Sequence, residues 1–354
     1  MAFCGADIEN MTAIEDFVEE VARRASFVLS KPKARTEIFS INELPFQLIA
    51  AEQTPDEWLG RAFVKEPQGS ASIASHSHRL AVWDGTDLTA LPPVRPWGPT
   101  AHEPLGVVAS YSNDAIRCAF DIHTSSLIVH NLAQNCSYVW FPNIVQLPAW
   151  AKASPFRIIL SWICNQHRMQ IVHSAAVAFD GRAVLLAGAG GSGKSTTALA
   201  CALAGLGYLG DDYCAVEPAA GRVHMVYRTA KVNRATLDML PSLAGWLTNR
   251  DRISREKGVM FLNESNVELV HSAELSAILL PRVTAEPMTT LYPATRDDAI
   301  KAVLPSTIGG LMGGTSVTPR LIMELVSSVP AFHLDLGTDL DAVTDTIASR
   351  LMAA

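Results

Sequence analysis

Gly188-Ala189-Gly190-Gly191-Ser192-Gly193-Lys194-Ser195 satisfies the pattern G-x-x-x-x-G-K-[ST] at every fixed position. Its flanks agree with it. Ala183-Val184-Leu185-Leu186-Ala187 runs in as an apolar strand, and Thr196-Thr197-Ala198-Leu199-Ala200 continues as a helix. Glycines let the backbone curl so that successive N–H groups converge on one anion, while the new helix directs its positive end at the same point. The stretch therefore reads as a phosphate-binding loop made by Gly188, Ala189, Gly190, Gly191, Ser192, Gly193, Lys194, Ser195 and Thr196. Lys194 is placed to reach the β- and γ-phosphates, and Ser195 to offer its hydroxyl to magnesium, so ATP and Mg2+ are the expected cofactors.

On the N-terminal side of the loop, Asp180-Gly181 separates the runs His173 to Phe179 and Arg182 to Gly188. That dipeptide is the signature of a two-residue type I′ turn, so the strand entering the loop is expected to pair antiparallel with its predecessor. On the other side, Leu206-Gly207-Tyr208-Leu209-Gly210 reads as a short strand ending in Asp211-Asp212. Two acids beside a phosphate loop permit a division of labour. Asp212 is assigned to the magnesium shell with Ser195, and Asp211 to the proton of an attacking hydroxyl. Adjacent strand residues point to opposite faces, so both can serve only if the chain turns there, which Gly210 eases. His173, in an apolar strand, reads by itself as a structural histidine more readily than as a catalytic one.

The 354 residues suffice for two domains, and 49% hydrophobic content fills a sizeable core. With 28 basic against 35 acidic residues and no basic run, nucleic acid is not an expected partner. No segment has the length of uncharged apolar residues a bilayer span needs, and the start of the chain carries Asp7, Glu9, Glu15 and Asp16 where a secretory signal would be basic and then apolar. The six cysteines form no C-x-x-C pair and read as buried thiols of a cytoplasmic protein.

Two domains are expected, 1–150 and 151–354. The first opens with a helix over residues 12 to 29, capped by Thr12 and Glu15, and turns β-rich from about 36 to 148, with Pro92, Pro93, Pro96 and Pro99 in a surface loop. In the second, Ser154 and Pro155 are read as the cap and first turn of a helix reaching about Gln170. Strands and helices then alternate, including strands at Ala277 to Val283 and Ala331 to Leu336. Helices are expected over 319–328 and 339–352, with Thr318-Pro319 and Thr338 as caps. This is an α/β pattern preceded by a β-rich α+β domain.

Val172-His173-Ser174-Ala175-Ala176-Val177, the hairpin, the glycine loop and Leu209-Gly210-Asp211-Asp212 together resemble the HPr kinase/phosphorylase family and its related serine kinases, whose P-loop core is similar to that of PEP carboxykinase. In that family a histidine opens the strand before the loop and an Asp-Asp pair comes after it, at the separations seen here. The resemblance implies that Asp211 is the base, that Asp212 belongs to the metal shell, and that His173 supports the pair as a catalytic residue alongside Lys194. It covers residues 151 to 220 most clearly. The family's downstream signature E-[IV]-R-G-x-G is missing, which turns attention from HPr and from phosphorolysis to the related kinases of peptide-modifying systems, including those acting on lasso-peptide precursors.

The expected activity is therefore transfer of the γ-phosphate of ATP to a serine hydroxyl of a peptide or small protein, with no membrane partner. The resemblance also allows a homo-oligomer, since related kinases often assemble. Two alternatives stand beside this reading: a kinase of a free small molecule such as serine, and a non-catalytic nucleotide-binding regulator. Arg228, Lys231 and Lys257 are candidates to meet a phosphate or an acidic acceptor, and read equally well as solvated charges.

Overall fold

The computed structural model describes residues 5–31, 34–50, 59–65, 77–86, 91–98, 106–262, 265–284, 286–311 and 317–353. Chain contacts divide it into two units, Met1–Gly60 with Lys65–Pro148 and Arg61–Val64 with Ala149–Ala354. Both mix helices with mixed sheets, and the described residues include eight α-helices.

In the first unit α1 (Gly5–Leu29) precedes β1 (Arg35–Ile41), β2 (Leu44–Ala50), β3 (His78–Asp84), β4 (Ile116–Asp121), β5 (Ser126–Asn131) and β6 (Cys136–Phe141). These strands form one sheet in the order β1-β2-β3-β6-β5-β4. The helical spacing of Ile14, Phe17, Val18, Val21, Ala25 and Val28 builds one apolar stripe, buried against Ala81, Trp83, Cys118, Leu127 and Val129 of the sheet. Leu91 to Gly98 is irregular, as its prolines require, while Pro99 lies outside the described residues.

The second unit runs α2 (Ala149–Ala153), α3 (Arg157–Gln166), β7 (Gln170–Val172), β8 (Ser174–Phe179), β9 (Arg182–Ala187), α4 (Lys194–Leu203), β10 (Gly207–Gly210), β11 (Cys214–Glu217), β12 (Arg222–Met225), β13 (Thr229–Val232), α5 (Arg234–Met239), β14 (Gly258–Phe261), β15 (Ser272–Val283), β16 (Thr290–Pro293), α6 (Arg296–Gly310), α7 (Thr318–Ser328), β17 (Ala331–Leu336) and α8 (Leu340–Met352). Nine strands make the main sheet, in the order β10-β8-β9-β15-β12-β11-β7, with β17 joined to β15 and β16 to β17. β13 and β14 form a separate ribbon. The expected hairpin is present: β8 and β9 are antiparallel, and Asp180 and Gly181 take φ of 50° and 76°, the left-handed pair a type I′ turn demands.

β9 pairs parallel with β15, and β15 parallel with β17. Because β10 and β9 both run antiparallel to β8, the strands β10, β9, β15 and β17 all end at the same edge of the sheet. His173, which precedes β8, lies at that edge too. Val184, Leu185 and Leu186 are fully buried beneath it, which is why β9 reads as an unbroken apolar run.

Several local expectations are corrected. Ser154 and Pro155 do not begin a helix: α3 is preceded by Phe156 in the left-handed region, and it ends at Gln166. Ser154 Oγ instead accepts from Lys231 Nζ, and the Pro155 carbonyl accepts from Tyr227 Oη. Asp339, not Thr338, caps α8 by accepting from the N–H groups of Asp341 and Ala342. Thr318 makes no cap at α7; its hydroxyl meets Asn165 Oδ1 at 3.3 Å. The run read as a strand from His173 begins at Ser174: His173 lies between β7, which pairs with β11, and β8, which pairs with β9 and β10. Arg61–Val64 belongs to the second unit because the Ala62 carbonyl accepts from Arg228 N and Phe63 packs on Phe156 and Tyr227. No helix among the described residues is long and apolar enough to cross a membrane.

Candidate functional site

The loop between β9 and α4 lies at the edge where those parallel strands end. Gly193 takes φ of 104°, and a Cβ there would run into Leu336 Cδ1, so conformation and space both call for glycine. Gly193 is also the residue before α4, and no side chain caps that helix. Its first N–H groups have no intrahelical acceptor, which leaves the positive end of the helix open to an anion. Ser192 Oγ is buried without a hydrogen-bond partner, a further donor in the same turn. Lys194 Nζ donates to the loop carbonyls of Gly188 at 2.8 Å and Ala189 at 3.0 Å. Burial lowers the hold of this ammonium on its proton, Asp211 and Asp212 oppose that, and Lys257 adds to it. Thr196 Oγ1 lies 2.9 Å from Thr236 Oγ1 of α5, which Asn233 caps.

The acid pair stands directly across from the loop. Ser195 Oγ donates to Asp211 Oδ1 at 2.7 Å, and the backbone N–H of Lys231 donates to Asp211 Oδ2 at 3.1 Å. Asp212 turns the other way. Its φ of 65° is left-handed, a conformation aspartate tolerates better than most residues, and this is how two adjacent acids leave the strand in different directions. Asp212 Oδ2 is 2.8 Å from Lys231 Nζ, and Oδ1 is 3.7 Å from His173 Nε2, an ion-pair distance longer than a hydrogen bond. The His173 ring is tilted against Tyr213, with centroids 5.7 Å apart.

Electrostatics separates the two carboxyls. Burial and the neighbouring charge of Asp212 raise the pKa of Asp211, against its bonds from Lys231 N and Ser195. Burial also acts to raise that of Asp212, but Lys231 and His173 outweigh it and hold this carboxyl well below the usual range. One acid is thus the more easily protonated, and its neighbour is held as an anion.

The structure thus brings together Lys194, Ser195, Asp211, Asp212 and His173 around the loop Gly188 to Thr196. Ser195, expected to share the magnesium shell with Asp212, donates its hydrogen bond to Asp211 in the structure. The left-handed turn at Asp212 is the reason. Lys231, read as either a site residue or a solvated charge, is buried with its side chain 7% exposed, and bridges Asp212 and Ser154. Lys257 is exposed, yet its charge is felt at Lys194, Asp211 and Asp212. Arg228 is committed elsewhere, donating through Nε to the Arg61 carbonyl. Ser154 escapes the sequence as a site residue because Ser-Pro reads as a helix start; polar–apolar alternation along Thr229-Ala230-Lys231-Val232 places Lys231 on the solvent face, whereas all four residues are buried.

The five described cysteines are free and buried, and burial pushes the thiols of Cys118, Cys164, Cys201 and Cys214 up to about 12. Cys4 lies outside the described residues. Among the described residues no three or more His, Cys, Asp or Glu gather as a metal cluster. The donor set that is present, one hydroxyl touching one carboxylate beside an anion seat, has the form magnesium uses when it keeps most of its waters. No family model matches this chain, and no curated protein matches it.

Proposed function

We propose that the chain is a magnesium-dependent kinase with a P-loop core of the HPr kinase and PEP carboxykinase type, transferring the γ-phosphate of ATP to a serine hydroxyl of a peptide or small protein. One observation supports this above the others: the hydroxyl of the glycine loop, Ser195 Oγ, lies 2.7 Å from Asp211, while the adjoining Asp212 points toward His173. A loop that only holds an anion has no need of a second, oppositely directed acid.

In this reading the N–H groups of the loop, Lys194 and the open end of α4 hold the triphosphate. Lys194 exchanges its carbonyl partners for phosphate oxygens, its charge opposing the charge that builds on the transferred group. Ser195 and Asp211 would hold magnesium, which when bound neutralises charge on the phosphate oxygens. Asp212 faces the acceptor with His173 beside it. As the acceptor oxygen bonds to the γ-phosphorus, the bridging P–O bond to ADP breaks and the hydroxyl proton passes to Asp212. The roles of the two acids are thus the reverse of those the family resemblance implies. A low pKa does not disqualify Asp212, because in a loose phosphoryl transfer the proton moves late and orienting the hydroxyl matters most.

The test is mass spectrometry of serine peptides and free serine incubated with protein and MgATP. A gain of one phosphate on peptide, lost in Lys194→Ala, is the expected result. Phosphorylation of free serine as efficiently as peptide would favour the small-molecule kinase, because a peptide kinase draws binding energy from remote parts of its substrate. ATP binding with no turnover on any acceptor, unaltered in Asp212→Asn, would leave a nucleotide-binding regulator.

A further inference from the structure

The first unit holds a cavity of about 520 Å³, and every described residue lining it belongs to that unit. Strand register sets one wall. Phe120 pairs with Leu127, and Leu127 with Trp140, so a single row of side chains crosses β4, β5 and β6 on one face of the sheet. It is the face that α1 covers, since Leu127 and Trp140 pack in the same core as Phe17 and Val21. The facing wall is the proline-rich segment from Leu91 to Arg95. That segment is tied down at both ends. Arg24 Nη1 of α1 donates to the Leu91 and Pro92 carbonyls at 2.6 and 3.0 Å, and Trp97 is buried edge-to-face on Phe17 with centroids 5.2 Å apart. The cavity is therefore formed before any ligand arrives, as small-molecule sites commonly are.

The lining carries one charge. Arg95 Cζ lies 4.2 Å from the centroid of the Phe120 ring, so the guanidinium is stacked on the wall of the cavity. No carboxylate is among the described lining residues, and among the described residues Arg95 has no ion pair. Stacking on a ring fixes the plane of the fork and leaves its N–H groups for an anion. The same segment holds apolar side chains in water, Leu91 at 44% exposure and Val94 at 92%.

We propose that this cavity is a binding site for a small aromatic carboxylate, with its ring among Phe120, Leu127 and Trp140 and its charge on Arg95. Apolar walls beside one unpaired cation call for both properties in a single ligand: a flat body that gains from leaving water, and one anionic group. A carboxylate matches the planar guanidinium through two parallel hydrogen bonds. The volume also fits, since pockets for small ligands run from about 300 to 1,000 Å³. The site shares no residue with the glycine loop, and the proposal stands apart from the phosphate reading.

The experiment is calorimetry of the full chain with two probes, naphthoate and its neutral isostere naphthamide. Naphthoate is expected to bind with a Kd of about 0.1 mM, and the amide about tenfold more weakly. Arg95→Met removes the charge at an exposed position and keeps an apolar stem over Phe120, so the fold is spared. This variant should bind naphthoate about tenfold more weakly than the wild type and the amide within about twofold of it. Absence of naphthoate binding up to about 1 mM overturns the proposal. Equal affinity for acid and amide overturns it as well, because Arg95 then reads no charge. Naphthoate binding that Arg95→Met leaves unchanged lies somewhere else on the chain and also overturns it.

Discussion

Lys231→Met removes one charge from the centre of the site and keeps most of the side chain's bulk, so its consequence can be worked from the structure. Lys231 Nζ lies 2.8 Å from Asp212 Oδ2 and 2.8 Å from Ser154 Oγ, and the Asp212 side chain is only 14% exposed. Methionine preserves the backbone bond from residue 231 to Asp211 and leaves Asp212 a buried carboxylate without its cation. Removing one partner of such a pair costs about 3–5 kcal/mol, because the desolvation of the remaining charge is no longer offset. Against a total stability of about 5–15 kcal/mol this is a large fraction. Adding Asp212→Asn removes the stranded charge, so the double variant is expected to be more stable than Lys231→Met alone by about 2 kcal/mol or more.

The sign with pH comes from the same pair. In the wild type the folded pKa of Asp212 is depressed, so its contribution is present above the unfolded value and is lost only as pH falls through the folded one. Without Lys231, burial dominates and the folded pKa lies above the unfolded one. The charge then destabilises increasingly as pH rises, and the gap between variant and wild type narrows from about pH 7 to about pH 4, where an ordinary aspartate nears its pKa. Hydrogen exchange of peptides spanning residues 207 to 232, without magnesium, is the assay, since a chain of two units need not unfold in one step. Acceleration of about 100-fold or more is expected at neutral pH. A cost below about 1 kcal/mol, or a double variant no better than the single, would refute the idea that Lys231 neutralises a buried Asp212.

Exchanged acid roles predict that Asp211→Asn raises the magnesium concentration for half-maximal ATP turnover, whereas Asp212→Asn keeps that requirement and lowers kcat by about 100-fold or more; a magnesium titration showing the opposite split would restore the assignment the resemblance implies. Gly193→Ala should lose about 1–3 kcal/mol from backbone strain and the encounter with Leu336, read by urea unfolding, and a loss under about 0.5 kcal/mol by the same measurement would count against the strained turn. Cys118, Cys164, Cys201 and Cys214, with thiols near 12, should stay unalkylated by iodoacetamide at about pH 8 in the native protein and react in urea; peptide mapping that finds any of them modified without denaturant contradicts their burial.

How much of the fold and site is legible in the sequence depends on the range over which each interaction acts. The glycine loop, the Asp180-Gly181 turn and the apolar stripe of α1 are local: φ values, turn types and a 3.6-residue stripe are properties of short segments, and the structure has them where the residues require, although α1 begins at Gly5, so Thr12 lies inside the helix and not at its expected cap. The helix expected at Ser154 failed because a Ser-Pro start carries the same local signal whether its hydroxyl caps a helix or, as here, meets a lysine 77 positions away. Lys231 was ambiguous for a related reason. A lone lysine in Thr229-Ala230-Lys231-Val232 is read as solvated unless the partner waiting inside is known, and Asp212 lies on another strand end.

The acid pair shows the same limit at the scale of one residue. Asp211-Asp212 could be recognised as a pair, but which of them meets Ser195 depends on a single backbone choice, the left-handed φ of 65° at Asp212. Extended geometry would also have separated the two carboxyls, one to each face of the strand, with nothing to say which faced the loop. Placing the turn at Asp212 and not at Gly210 keeps Asp211 in line with β10, opposite the start of α4, and swings Asp212 to His173 and Lys231. A buried cation then becomes necessary, since two carboxylates this close would otherwise share a proton and only one could be an anion at neutral pH. Lys231 supplies that cation through its side chain and anchors Asp211 through its backbone, so one residue of the β13 strand maintains the difference between the two acids on which any division of labour depends.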